Sequence, residues 1–83
     1  MKYRFEVEQI AAERGKLPRD ERHDIMQYFS GIVIEADERK KAARQLAKLS
    51  AGRLSKESTD ETLLITLPDY GSCQVTVRIH AED

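Results

Sequence analysis

The chain has 83 residues, a formal net charge of −1 and a single cysteine. A chain this short cannot build two hydrophobic cores, so residues 1–83 predict one small domain. The single cysteine excludes an intrachain disulfide and a zinc site made of several cysteines, which is typical of a reducing compartment, and we therefore expect a cytoplasmic location.

The amino-terminal residues alternate charged with apolar side chains and lack the apolar core of about 7 to 15 residues that a secretory signal needs. The longest uncharged stretch lies within residues 25–34, far short of the roughly 20 apolar residues of a membrane-spanning helix. We therefore expect neither export by such a signal nor a membrane partner.

The first part of the chain predicts a strand followed by a loop. In residues 2–8 the side chains of Tyr3, Phe5 and Val7 share one face and charged side chains occupy the other, which is the period of a half-buried strand. Residues 11–24 combine a glycine, a proline and dense mixed charge, a composition that favours a turn or loop.

Residues 25–36 fit two structures, and the sequence leaves both open. Apolar side chains recur on one face and β-branched residues dominate the second half, which favours a long strand antiparallel to the first. The alternative is a helix over residues 18–29 followed by a shorter strand. Pro18 suits a first helical position, and Ile25 and Phe29 are four residues apart. We prefer the strand.

Residues 37–51 predict an amphipathic helix. Asp37 is the predicted N-cap, and Gly52 is the predicted left-handed residue that ends the helix. A projection at 100° per residue gathers apolar side chains on one side, from Ala42 to Leu49, and cations on the other. We call the cationic side the basic face, and its members are Lys40, Lys41, Arg44 and Lys48.

The last part of the chain predicts a β-hairpin around the Pro/Gly turn of residues 68–72. Seven apolar side chains point to one face: Leu63, Ile65, Leu67, Cys73, Val75, Val77 and Ile79. In chain order the elements are strand, strand, helix, strand, strand. They predict an α+β two-layer sandwich, with about four mostly antiparallel strands and one amphipathic helix on one face of the sheet.

No group of residues predicts catalysis, a cofactor or a metal site. A nucleophile needs a base within reach, whereas Cys73 lies on the apolar face of the hairpin, where a thiol behaves as a small hydrophobic group. His23 with Asp20 or Asp24 is the weakest hypothesis, for an enzyme or a metal site, because a second histidine or a cysteine is missing. The four glycines are too far apart for a phosphate-binding loop. We expect a non-enzymatic protein.

Charge is unevenly distributed along the chain. Residues 39–56 carry seven cations and no acid, whereas residues 57–83 carry six acids and one cation, Arg78. Segregated charge favours docking to a surface of opposite pattern. We therefore expect a macromolecule-binding protein with a protein partner, as in small regulators and inhibitors such as those encoded by phages.

Two further hypotheses concern the partner. The basic face would neutralise several phosphates, which predicts nucleic-acid binding as the alternative function. Against this hypothesis, the basic face has no aromatic residue for base stacking and the whole chain is not basic. The antiparallel sheet also has edges, which predict a homodimer formed through a sheet edge.

Overall fold

The computed structural model describes residues 1–12, 17–59 and 61–82. These residues form five strands and two α-helices: β1 (Lys2–Ala11), α1 (Arg19–Ser30), β2 (Val33–Glu35), α2 (Arg39–Leu49), β3 (Arg53–Leu54), β4 (Thr62–Leu67) and β5 (Cys73–Glu82). The sheet order is β2-β1-β5-β4-β3, and every neighbouring pair is antiparallel. Neither helix has the length and apolar composition needed to cross a lipid bilayer.

The predicted α+β class and antiparallel sheet are confirmed, but the prediction of four strands and one helix is wrong. Residues 19–30 are helical, and just three residues, Val33–Glu35, pair with β1. A helix buries Ile25 and Phe29, which are 2% and 1% exposed, and leaves Met26 and Tyr28 in water. The long strand that we preferred would have placed Met26 and Tyr28 on the same face as the buried Ile34.

The predicted loop over 11–24 is wrong for residues 19–24, which belong to α1. Residues 13–16 of that loop lie outside the described part of the chain. Arg22 contributes to the attachment of α1, because its guanidinium donates to the Ile10 carbonyl oxygen at 3.2 Å. The charge that suggested a loop therefore lies on the solvent-facing side of a helix.

Strand β1 is longer than the predicted strand because it contains a bulge. Its register against β5 shifts between Val7 and Gln9, so one extra residue is inserted there. Tyr3 and Phe5 are buried as predicted, and the shift brings Ile10 onto the same buried face. A strict alternation of two would have placed Ile10 on the opposite face.

The core lies between one face of the sheet and both helices. All seven apolar side chains of the predicted hairpin are buried, which confirms that prediction. Helix α2 contributes small residues, Ala42, Ala43 and Ala47, which allow it to lie close to the sheet. Leu49 was predicted to be buried but is 58% exposed. It is the last residue of α2 and lines a shallow apolar cleft near Tyr28.

The opposite face of the sheet is covered by neither helix and carries charged side chains. Three diagonal contacts join β1 to β5: Arg4 Nε to Glu82 Oε1 at 2.6 Å, Arg78 Nε to Glu8 Oε1 at 3.7 Å, and His80 Nε2 to Glu6 Oε1 at 3.9 Å. His80 is exposed on this face. Exposed pairs of this kind contribute little stability, but they balance charge locally on this face.

Helix α2 begins later than predicted. Its N-cap is Glu38, which has extended backbone angles, and no side chain caps the helix. The prediction of Asp37 as N-cap is therefore wrong. Asp37 instead lies one turn before Lys41, with 3.6 Å between its Oδ2 and the Lys41 Nζ.

Helix α2 ends in a turn where Ala51, and not the predicted Gly52, is left-handed, with φ of 55°. The Gly52 N–H donates to the Ala47 carbonyl at 2.8 Å and the Ala51 N–H to the Lys48 carbonyl at 3.2 Å. These two bonds form a Schellman motif. Gly52 is required for another reason, because a Cβ there would lie 2.5 Å from Ile65 Cγ2.

We expect substitutions at Ala51 and Gly52 to change the free energy of unfolding in opposite directions. Ala51→Gly should raise the free energy of unfolding by about 0.5 to 1 kcal/mol, since glycine adopts a left-handed backbone without a steric penalty. Gly52→Ala should lower it by about 1 to 3 kcal/mol through overpacking against Ile65. Urea denaturation followed by circular dichroism measures both, and the reverse order would contradict this description of the turn.

Candidate functional site

The structure places all four residues of the basic face on the exposed side of α2, but it divides them into two pairs. Lys40 and Arg44 line a cleft between α2 and the segment that follows β3. Lys41 and Lys48 do not line this cleft. The basic face is therefore two surfaces with different neighbours.

The cleft has a volume of about 390 Å³, and we call it the basic cleft. Cations come from both of its sides. Arg39, Lys40 and Arg44 lie on α2, and Lys56 lies on the facing segment. Among the described residues, no acidic side chain lines the cleft. The positive charges of two separate elements therefore converge on one opening.

The apolar part of the lining is the more deeply buried part. It consists of Ala43 and Leu63, which are buried, and Leu54, which is half-buried. Ala43 and Leu63 are already almost free of water, so a ligand would gain free energy chiefly by removing water from Leu54. The cleft thus combines an apolar base with a cationic rim.

Three of the rim cations have no carboxylate partner in the described part of the chain. Lys40, Arg44 and Lys56 form none of the ion pairs found among these residues. Of the acids in the 57–83 segment, Glu82 lies on the uncovered sheet face beside Arg4. Asp60 and Asp83 fall outside the described residues. Glu61 lies near Arg39, because both line a second pocket. The 57–83 segment therefore brings one described acid close to a cation of the basic cleft, but it forms no ion pair with Lys40, Arg44 or Lys56 among the described residues.

Hydroxyl side chains fix the segment that forms the outer wall of the cleft. Ser58 Oγ accepts the Leu64 N–H at 3.0 Å, and Thr59 Oγ1 accepts the Thr62 N–H at 3.1 Å. Two backbone bonds of 2.8 Å extend the pairing, from the Ser55 N–H to the Leu64 carbonyl and from the Thr59 N–H to the Thr62 carbonyl. The segment is therefore attached to the edge of β4 beyond the short strand β3.

The sequence analysis identified two of the four cations of the basic cleft, Lys40 and Arg44, and missed the other two. Arg39 and Lys56 belong to the basic stretch of the sequence, but a projection of one helix cannot connect Lys56 with α2. The available signal was the run of hydroxyl residues in 55–59, which is typical of side chains that bond to backbone groups. That signal does not specify which strand the segment would pair with.

The other sequence candidates do not form a site in the described residues. Asp20, His23 and Asp24 are exposed on α1. No group of three histidine, cysteine, aspartate or glutamate side chains in the described ranges is arranged to hold a metal ion. Cys73 is buried, as predicted, and burial raises the pKa of its thiol, opposed in part by a backbone hydrogen bond and by Arg22.

No known protein family, curated protein sequence or solved structure matches this chain. The assignment of a function therefore starts from the geometry of the basic cleft.

The hydroxyl attachments of the outer wall make a prediction about local stability. Ser58→Ala removes the acceptor of the half-buried Leu64 N–H and should lower the free energy of unfolding by about 1 to 2 kcal/mol. Ser55→Ala is the matched control, since among the described residues the one N–H that Ser55 Oγ accepts is that of exposed Glu57, at 3.1 Å. Urea denaturation and hydrogen exchange at the Leu64 amide measure the difference. Equal effects of the two substitutions would contradict the assigned bonds.

The buried thiol predicts a pH dependence above its ordinary pKa of 9.0. In that range the unfolded chain has lost the thiol proton while the folded chain keeps it, so the free energy of unfolding falls as pH rises. We expect a steeper fall for the wild type than for Cys73→Ala as the pH rises above 9.0. Denaturant titrations at each pH test this, and parallel curves would show that Cys73 is not the cause.

Proposed function

We propose that this chain is a small, non-enzymatic, cytoplasmic protein that binds an acidic surface of another protein through the basic face of α2. It would act as a regulator or inhibitor of that partner. The observation that supports the proposal is the basic cleft, in which Lys40, Arg44 and Lys56, which form no ion pair within residues 1–12, 17–59 and 61–82, surround an apolar base. Opposite charge on a partner would raise the rate of association and select its orientation. Leu54, the half-buried residue of the apolar base, would supply apolar surface that is dehydrated on binding.

A protein partner accounts for this lining better than a nucleic acid does. Proteins that bind single strands stack bases on aromatic side chains, and none of the described residues of the cleft is aromatic. Tyr28 belongs to α1 and does not line the cleft. It lies near the carboxyl end of α2, where its hydroxyl donates to the Leu49 carbonyl at 2.7 Å. Nucleic-acid binding through Lys40, Lys41, Arg44 and Lys48 remains the alternative proposal.

A displayed random-peptide library tests the two proposals without a known partner. The library is selected on the wild type and counter-selected on a variant with Lys40, Lys41, Arg44 and Lys48 all replaced by glutamate. We expect enrichment of acidic peptides that the wild type retains and the variant does not. A control variant, with Lys2, Arg19 and Arg53 replaced by glutamate, should still retain them. Its changes lie outside the basic face.

Labelled single-stranded and double-stranded oligonucleotides are titrated in parallel, from about 50 to about 200 mM salt. Two results together would replace our proposal with the alternative. One is failure to enrich acidic peptides, and the other is saturable oligonucleotide binding that falls steeply with salt and is lost in the fourfold variant.

Sedimentation of the wild type accompanies both assays. It distinguishes the 9.5 kDa monomer from the homodimer predicted through a sheet edge.

A further inference from the structure

We infer that the basic cleft recognises a short, extended segment of its partner in which one apolar side chain lies between carboxylates. This inference rests on the proposed function, because it specifies what the basic face would bind. It assigns different tasks to the two pairs of the basic face: Lys40 and Arg44 contact the segment, and Lys41 and Lys48 do not.

The size of the cleft suits a side chain and its adjoining backbone. Its volume of about 390 Å³ lies near the lower end of the range of about 300 to 1,000 Å³ found for ligand sites. The apolar base formed by Ala43, Leu54 and Leu63 offers contact to an aliphatic group. An inorganic or nucleotide phosphate would leave this base without a matching surface.

The placement of the cations suits carboxylates on either side of that side chain. Successive side chains of an extended segment point to opposite faces, so the carboxylates that enter the cleft beside a central apolar residue belong to the residues two positions before and two positions after it. Lys40 and Arg44 lie on the α2 side of the cleft, and Lys56 lies across from both. A carboxylate on each side of the apolar residue would therefore meet a cation.

The hydroxyl groups of the outer wall supply donors of the required type. The oxygens of Ser55 and Ser58 accept backbone N–H groups, at 3.1 and 3.0 Å. Among the described residues, neither hydroxyl has an acceptor for its own proton. A serine hydroxyl that accepts one bond still donates another. These protons are available to the carboxylates or carbonyls of a bound segment.

The test uses a short peptide with one leucine between two pairs of glutamates, titrated into ¹⁵N-labelled protein at about 150 mM salt. Two matched peptides replace the leucine with glycine or every glutamate with glutamine. Two protein variants carry equal changes of charge on the same helix: Lys40→Glu/Arg44→Glu within the cleft, and Lys41→Glu/Lys48→Glu outside it. Circular dichroism and thermal unfolding verify that both variants fold.

We expect the leucine peptide to shift the amide signals of Ala43, Leu54 and Leu63. Replacing leucine with glycine should weaken binding about tenfold or more, as expected for loss of a buried aliphatic side chain. The glutamine peptide should not bind measurably. Lys40→Glu/Arg44→Glu should weaken binding about tenfold, and Lys41→Glu/Lys48→Glu less than about threefold, since Lys41 and Lys48 do not line the cleft and exposed charges contribute little without direct contact.

The outcomes separate this inference from the proposal on which it rests. Equal losses of affinity in the two double variants, or equal affinity for the leucine and glycine peptides, would overturn the inference that the cleft is the binding site. Neither result would contradict binding of an acidic protein through the whole basic face. No binding of any acidic peptide here or in the library selection would overturn both. The last outcome is a competition between the leucine peptide and a thymidine oligonucleotide. If the oligonucleotide displaces the bound peptide at a lower concentration than unlabelled peptide does, the cleft is a phosphate site and the inference is overturned.

Discussion

The close approach of Gly52 to Ile65 determines where the second half of the chain lies. Ile65 is fully buried in β4, and the backbone at Gly52 passes within a distance of its side chain that no Cβ would tolerate. The chain therefore turns from α2 directly onto the edge of β4, and residues 55–59 continue along that edge. The basic cleft is the space left between this segment and α2, so its charge pattern depends on an uncharged contact.

Local sequence patterns predicted the parts of the fold whose packing follows a single period. The hairpin of β4 and β5 alternates strictly, and each of its predicted core residues is buried. Residues 25–36 were misassigned because apolar residues occur on both possible strand faces, and the choice depends on which of them the sheet buries. The bulge in β1 and the exposure of Leu49 likewise depend on neighbouring elements, which no local period records.

The candidate site was predictable to the extent that it lies on one helix. A projection of α2 identified Lys40 and Arg44 as outward-facing, but it also grouped them with Lys41 and Lys48, which do not line the cleft. Lys56 reaches the cleft through pairing between Ser55 and Leu64, a contact between separate elements. The charge pattern of the sequence therefore indicated the part of the chain that contains the candidate site. The pairing of residues 55–59 with β4 determines which cations line the basic cleft.

The position of Cys73 gives the molecule an internal chemical reporter. It is the only thiol in the sequence, it is fully buried, and it pairs with Leu67 where β4 and β5 meet their turn. A thiol reagent therefore reaches it after this end of the sheet has opened, and the rate of alkylation measures how often that occurs. The outer wall of the cleft pairs with the opposite end of β4, at Leu64 and Thr62. Slower alkylation in the presence of a ligand of the cleft would therefore show that the two ends of β4 open together, although no atom of the ligand touches the sulfur.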